Sequence, residues 1–197
     1  MRSFTAPGAP GRCQRCLLLV DFCVCELIGP AQESQPQILI VRHHWEAFKS
    51  TGTARLAGLA LSNLRISDMA AENPEPVRAE LAALQDAWLL YPGGSQAPSG
   101  QARPTTLVVL DGTWRQTRKM LRRLPELSRL PRFSLLNSAT AEPRDRLRAA
   151  PHEGARSTLE SIADALLQLD SATTTGPHLL ELHRLFVERT RLSRGQR

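Results

Sequence analysis

Two sets of residues in this chain have the types and spacing to do chemistry. The first is Cys13, Cys16, Cys23 and Cys25, in the pattern C-x2-C-x6-C-x-C, which uses all four cysteines of the 197-residue chain. Four thiolates supply a closed tetrahedral zinc site, and such a site would fold a segment too short to bury a core of its own. Two disulfides or four unrelated buried thiols are the other readings. A reducing compartment speaks against the first, and the clustering of the residues against the second. With sulfur in all four positions, a bound metal is structural, not catalytic.

The second set is Asp111-Gly112-Thr113-Trp114, where the most strand-like run of the chain meets a helix. A carboxylate at a strand end can accept a proton or hold an ammonium group. Local structure offers a plainer account of its neighbours. Thr113 and Gln116 form a T-x-x-Q capping box, and Trp114 can simply pack. Ser157-Thr158-Leu159-Glu160 has the same double reading, as a capping box and as a helix N-terminus suited to an anion. The pair His43-His44 at a strand end reads as packing or solvent-facing before it reads as catalytic.

The elements that must position these residues alternate in type. Strand-like runs fall at 37–42 (QILIVR), 87–91 (AWLLY), 105–110 (TTLVVL) and 132–136. Helical patterns fall at 53–62, 75–85, 113–123, 157–169 and 177–192, the last amphipathic through Leu179, Leu182, Leu185 and Phe186. Residues 93–104 form a Gly/Pro/Ser-rich loop and 137–156 a long polar connection. Continuous apolar strands alternating with helices predict an α/β fold, a mostly parallel sheet covered by helices on both faces. Residues 1–30 form a small cysteine-bearing module, and 31–197 the main domain. Ligands of such sheets bind at the carboxyl ends of strands, so the loops beginning at Tyr91, Asp111 and Asn137 are the places to look. No GxGxxG and no P-loop are present, and there is no internal repeat.

Charge narrows the partner. Lys and Arg number 25 against 19 Asp and Glu, for a net charge of +6 and a pI of about 9.9. Between Asp111 and Arg148 there are ten Arg and Lys against four Asp and Glu, so this segment carries the whole excess. Clustered charge suits a polyanion such as nucleic acid, although a solvated helix face would have the same composition. Aromatics are only 5% of the chain, which argues against a base-stacking platform of the sheet-based kind. The opening MRSFTAPGAPGRCQRC lacks the apolar run of a signal peptide, and no apolar stretch approaches a membrane span. A cytoplasmic protein is expected.

These motifs, taken in order, resemble the DTW-domain family, tRNA-uridine aminocarboxypropyltransferases related to the SPOUT class of RNA methyltransferases. The resemblance runs through the cysteine quartet, EAFKSTGTARL at 46–56, Leu90-Tyr91-Pro92, LDGTWRQTRKM at 110–120, Arg146-Leu147-Arg148 and the Ser157-Thr158-x-Glu160 turn. One departure is Gly52-Thr53-Ala54, where Asn-Thr-Gly is expected before Arg55.

The resemblance implies a SPOUT-like trefoil knot and transfer of the 3-amino-3-carboxypropyl group of S-adenosylmethionine to N3 of a tRNA uridine. Asp111, Thr113 and Trp114 would form the catalytic group. Asp111 would serve as the base for N3 or as the ligand of the donor's ammonium group. Leu90, Tyr91, Pro92, Leu110, Asp111, Gly112, Ser157, Thr158 and Glu160 would cradle the donor. Lys49, Arg55, Arg115, Arg118, Lys119, Arg122, Arg123 and Arg148 would contact the RNA, by shape and phosphates. Arg115, Arg118 and Arg122 share one helix face. A tRNA is the expected partner, with neither DNA nor membrane. Rival outcomes are an RNA methyltransferase, an aminocarboxypropyltransferase acting on ribosomal RNA, and a non-enzymatic zinc-bearing RNA-binding module.

Overall fold

A computed structural model describes residues 8–70, 72–95, 103–136, 147 and 156–196. Arg146 and Arg148, the loop start at Asn137, and most of the connections at 96–102 and 137–155 lie outside the described residues.

The apolar runs form strands β1 (Gln37–His43), β2 (Leu64–Met69), β3 (Ala87–Ser95), β4 (Thr106–Asp111) and β5 (Arg132–Phe133). The helices are α1 (Ala54–Ala60), α2 (Glu75–Ala82), α3 (Trp114–Arg123), α4 (Pro125–Arg129), α5 (Thr158–Leu169) and α6 (Thr175–Leu192). The strands make one sheet in the order β2-β1-β4-β3-β5, and every pairing is parallel.

Alternation along the strands supplies two cores. Ile38 and Ile40 of β1, Leu107 and Val109 of β4 and Trp88 of β3 face one side, packed with residues of α1, α5 and α6. Leu39 and Val41, Val108 and Leu89 face the other, with residues of α2, α3 and α4. Both faces of the sheet are therefore covered, as the uninterrupted apolar strands require. The cysteine segment folds as irregular chain with two 3-10 turns, Val20–Phe22 and Cys25–Leu27. Its Cys16, Leu18, Val24 and Ile28 are at most 2% exposed and share the first core with Leu56 and Phe186.

The connections shape the carboxyl edge of the sheet. From β1 the chain crosses through α1 to β2; from neighbouring β4 it crosses through α3 and α4 to β5, on the opposite face. Adjacent strands whose continuations part in this way open a crevice at their carboxyl ends. That crevice lies between the ends of β1 and β4.

Several elements differ from the sequence expectation. Strand β2 has no counterpart in it: this edge strand, LRISDM, is only partly buried and carries too few apolar residues for a period-2 signal. The short helix α4, opened by Pro125, was also unforeseen. β3 runs on through the Pro-Gly-Gly expected to end it. Gly94 approaches the backbone of Arg132 so closely that a Cβ would lie 2.2 Å from its carbonyl oxygen, and the pairing with β5 shifts register between Leu90 and Ser95. Only a glycine allows that approach. β5 itself is two residues long instead of five.

Candidate active site

The end of β4 delivers Asp111 to the crevice, and it is 6% exposed there. Its Oδ1 accepts a 2.6 Å hydrogen bond from the Thr158 hydroxyl at the start of α5. Its Oδ2 is buried and accepts no hydrogen bond. Burial pushes the carboxyl up from 3.8 to about 6; the Thr158 bond opposes the rise, nearby Glu46 adds to it, and Arg42 and Lys49 oppose it. A carboxyl so placed gains or loses its proton close to neutrality.

One rung of the sheet explains why this carboxylate is left uncompensated. Arg42 of β1 stands in register with Asp68 of β2 on one side and Asp111 of β4 on the other. Its guanidinium goes to Asp68, with Nε donating to Oδ1 at 2.6 Å and an Nη donating to Oδ2 at 2.8 Å. A bidentate pair of this kind is the strongest use an arginine has for its fork. The neighbouring cation thus acts on Asp111 only through space.

The loop after β1 closes the site. Its 3-10 turn, His44–Glu46, turns Glu46 inward (8% exposed), where it pairs with Lys49. Arg55 of α1 donates to the carbonyl oxygens of Ala47 and Lys49 and so fastens the loop to the helix. Of the expected RNA contacts, Lys49 and Arg55 are therefore engaged within the crevice wall, and Lys49 shows only 12% of its side chain to solvent. At the departure, Gly52, space is tight: a Cβ there would sit 3.2 Å from the Lys49 carbonyl oxygen and 3.3 Å from that of Glu46. Thr53 is buried and its hydroxyl accepts from the backbone N–H of Leu159, tying α1 to α5.

Both capping boxes form. The Thr113 N–H donates to Gln116 Oε1 at 2.6 Å, and the Gln116 N–H donates to Thr113 Oγ1. The Ser157 N–H donates to Glu160 Oε2, and the Glu160 N–H donates to Ser157 Oγ. With Leu159 committed to Thr53, the first turn of α5 has spent most of its N–H donors internally, so its contribution to the site is the Thr158 hydroxyl. Glu160 also lies 3.6 Å from His183 of α6, both buried.

Around this centre, Leu90 packs in the first core, while Tyr91 and Leu110 pack partly buried against the second. Pro92 is exposed. Gly112 lies between the side chains of Gln116 and His43. Trp114 is 39% exposed and meets the Tyr91 ring edge-on, with centroids 6.1 Å apart; the Arg132 guanidinium sits 5.5 Å from the centroid of the Tyr91 ring. His43 is buried; its Nδ1 lies 3.3 Å from Gln116 Nε2 and accepts from the Trp45 N–H. Burial and the adjacent His44 hold His43 below the usual histidine range. On α3, Arg115, Arg118, Lys119 and Arg122 are exposed and Arg123 is half-buried.

Arg42, Glu46 and Asp68 belong to the site and escaped the sequence reading. Arg42 and Asp68 each lie near the end of a strand, but nothing local marks the two strands as neighbours.

At the other end of the chain, the four cysteine sulfurs lie within 4.8 Å of one another, with Cys13–Cys25 at 3.5 Å and Cys16–Cys23 at 3.7 Å. A tetrahedron of sulfurs around a metal at about 2.3 Å has edges of about 3.8 Å, whereas a disulfide needs about 2.05 Å. The four free thiols could hold a metal ion.

No solved structure matches the chain. A tRNA-uridine aminocarboxypropyltransferase 2 from Drosophila melanogaster is 30% identical over 175 residues, which cover 84% of this chain and 69% of the relative. The family model described as the DTW domain matches residues 11–191, from the cysteine segment through the buried Asp111 to the last helix, and the chain belongs to the DTW-domain family.

Proposed function

We infer that the protein transfers the 3-amino-3-carboxypropyl group of S-adenosylmethionine to N3 of a tRNA uridine and releases methylthioadenosine. The observation that carries this reading is the buried Asp111 with an unpartnered oxygen in the crevice between β1 and β4. The family and the name of the fly relative supply the substrate class.

The reaction asks for two things. Uracil N3 holds its proton at neutral pH, and nucleophile, carbon and sulfonium must lie in line. Asp111 meets the first. Its carboxylate takes the N3 proton, the N3–C bond forms, the C–S bond breaks, and the electron pair of the C–S bond returns to sulfur as the neutral thioether of methylthioadenosine. A base that titrates near 6 is ionised at neutral pH yet basic enough to share a proton in the transition state. Thr158 orients the carboxylate. Thr113 fixes the start of α3 and so places Trp114, which stacks on adenine or uracil. Leu90, Tyr91, Pro92, Leu110, Gly112, Ser157 and Glu160 shape the donor pocket.

The exposed cations of α3 engage tRNA phosphates, together with Arg148. Cys13, Cys16, Cys23 and Cys25 hold a structural zinc within an N-terminal segment, residues 1–30, that completes the catalytic domain, 31–197. The SPOUT-like knotted architecture is part of this reading, supported by the all-parallel sheet covered on both faces. We place the enzyme in the cytoplasm. No helix among the described residues is long and apolar enough to cross a membrane.

The test is to incubate the protein with S-adenosylmethionine and unmodified tRNA transcripts, then digest the RNA for mass spectrometry. Aminocarboxypropyl-uridine together with methylthioadenosine establishes the reaction. Methylated nucleoside with S-adenosylhomocysteine makes it a methyltransferase; neither product across a full tRNA set leaves a binding module.

A further inference from the structure

The charges around Asp111 fall into pairs, with one anion and one cation left over among the described residues. Arg42 goes to Asp68, and Lys49 goes to Glu46. Asp111 is the anion without a counter-charge, held only by the Thr158 hydroxyl. The cation is Arg55, which makes no ion pair with a carboxylate among the described residues.

Local structure explains how Arg55 comes to stand there. It lies in the first turn of α1, two residues after Thr53, whose hydroxyl accepts from the Leu159 N–H. The neighbouring Thr158 donates to Asp111, so the start of α1 is tied through the start of α5 to that carboxylate. One Nη of Arg55 donates to the Lys49 carbonyl oxygen at 3.4 Å, and the other to that of Ala47. Carbonyl oxygens fix the orientation of a guanidinium without neutralising it. Of its five N–H donors, Nε and the second N–H of each Nη have no acceptor among the described residues. Arg55 is half-buried; burial and the nearby Arg42 oppose its charge, while Cys16, Asp111 and Asp68 favour it only through space.

A guanidinium held in one orientation, partly out of water and lacking a carboxylate, is a receptor for an oxyanion. The proposed reaction brings two kinds of anion to this crevice, the α-carboxylate of the donor and the phosphates of the tRNA. Phosphates follow one another along a strand in water, and the exposed cations of α3 suit them. A half-buried arginine in the crevice wall suits a single carboxylate at the end of a flexible arm. We propose that Arg55 binds the α-carboxylate of S-adenosylmethionine through its uncommitted N–H groups. This rests on the proposed aminocarboxypropyl transfer, and it makes Arg55 a contact of the donor, not of the RNA. The methylene to be attacked begins the arm that ends in this carboxylate. A fixed guanidinium therefore helps decide which of the three carbons on the sulfonium meets the uridine.

The experiment compares the full chain with Arg55→Gln and Arg55→Lys by calorimetry against three ligands, and against an unmodified tRNA transcript. The ligands are S-adenosylmethionine, its decarboxylated form, which keeps the sulfonium and the amine, and methylthioadenosine. Arg55→Gln should bind S-adenosylmethionine about 10- to 150-fold more weakly and the other two ligands within twofold of the unaltered chain. Arg55→Lys keeps the charge but not the fork, so its loss should be smaller and confined to the same ligand. An equal loss for all three ligands overturns the inference, because Arg55 then only fastens the loop. Unchanged affinity for S-adenosylmethionine also overturns it, and a weaker tRNA Kd in that case assigns Arg55 to a phosphate. Should Arg55→Gln fail to fold, Arg55→Lys decides: a loss confined to S-adenosylmethionine supports the inference, and an equal loss or none overturns it. Failure of the unaltered chain to bind either S-adenosylmethionine or methylthioadenosine overturns the proposed function, and this inference with it.

Discussion

Replacing Asp111 by Asn should inactivate the protein and, at neutral pH, relieve its folded state. The carboxyl is buried, its Oδ2 accepts nothing, and the nearest guanidinium is committed to Asp68. Raising it from 3.8 to about 6 means that the ionised form costs the fold about 3 kcal/mol once the pH is well above 6. The sign follows from the direction of the shift. A raised carboxyl leaves its share of stability intact below pH 3.8 and loses it as the pH climbs through about 6. An amide never ionises, so Asp111→Asn escapes this loss. It keeps an acceptor for Thr158, but places an NH2 group where Oδ2 met no partner, at a cost of about 1–3 kcal/mol that does not depend on pH. The difference between the two proteins is therefore the quantity to follow. Denaturant unfolding of both from pH 4 to pH 8 should show Asp111→Asn gaining about 2.5 kcal/mol relative to the unaltered chain. Most of that gain falls between pH 4 and pH 6, and other titrating groups cancel in the comparison. Activity should drop by about 10²- to 10⁴-fold, the usual contribution of a positioned base. A stability difference that stays flat over this range would mean that the carboxylate is solvated, and the argument for Asp111 as a poised base would fall.

The neighbours of Asp111 should move its titration in opposite directions. Thr158→Val removes a hydrogen bond to the charged form, so the acid limb of kcat/KM, centred near 6, should shift upward by about one to two pH units. Asp68→Asn releases Arg42 toward Asp111, so the same limb should shift downward and kcat should fall as the base becomes ion-paired; pH–rate profiles of both variants check this. Reversing charge on α3, as in Arg118→Glu or Arg122→Glu, should weaken tRNA binding whatever its sequence and reduce the slope of log K against log salt by about one per lost phosphate contact, leaving S-adenosylmethionine affinity unchanged. Cys16→Ala should abolish stoichiometric metal in elemental analysis and lower the melting temperature by several degrees, because Leu18, Val24 and Ile28 are held in the first core by the segment the metal would close.

Much of this protein is written in local sequence. The run TTLVVL, β-branched and uncharged, can hardly be anything but a buried strand, and its stop at Asp111-Gly112 places a carboxylate at a strand end. The capping boxes at Thr113 and Ser157 are each set by residues three apart, and both form as their sequences require. The cysteine quartet fits within 13 residues, so its convergence needs little more than a tight turn. What the sequence by itself left open is whatever depends on residues far apart in the chain. Edge strand β2 carries too weak a pattern to announce itself, yet it supplies Asp68, and without Asp68 there is no reason for Arg42 to leave Asp111 uncompensated. Thr158 reaches Asp111 across 47 positions and Thr53 reaches Leu159 across 106. Periodicity fixes which face of an element is buried, but not which strand lies beside which. Only the packed sheet decided that Asp68, Arg42 and Asp111 share a rung, and with it which carboxylate would be left without the arginine.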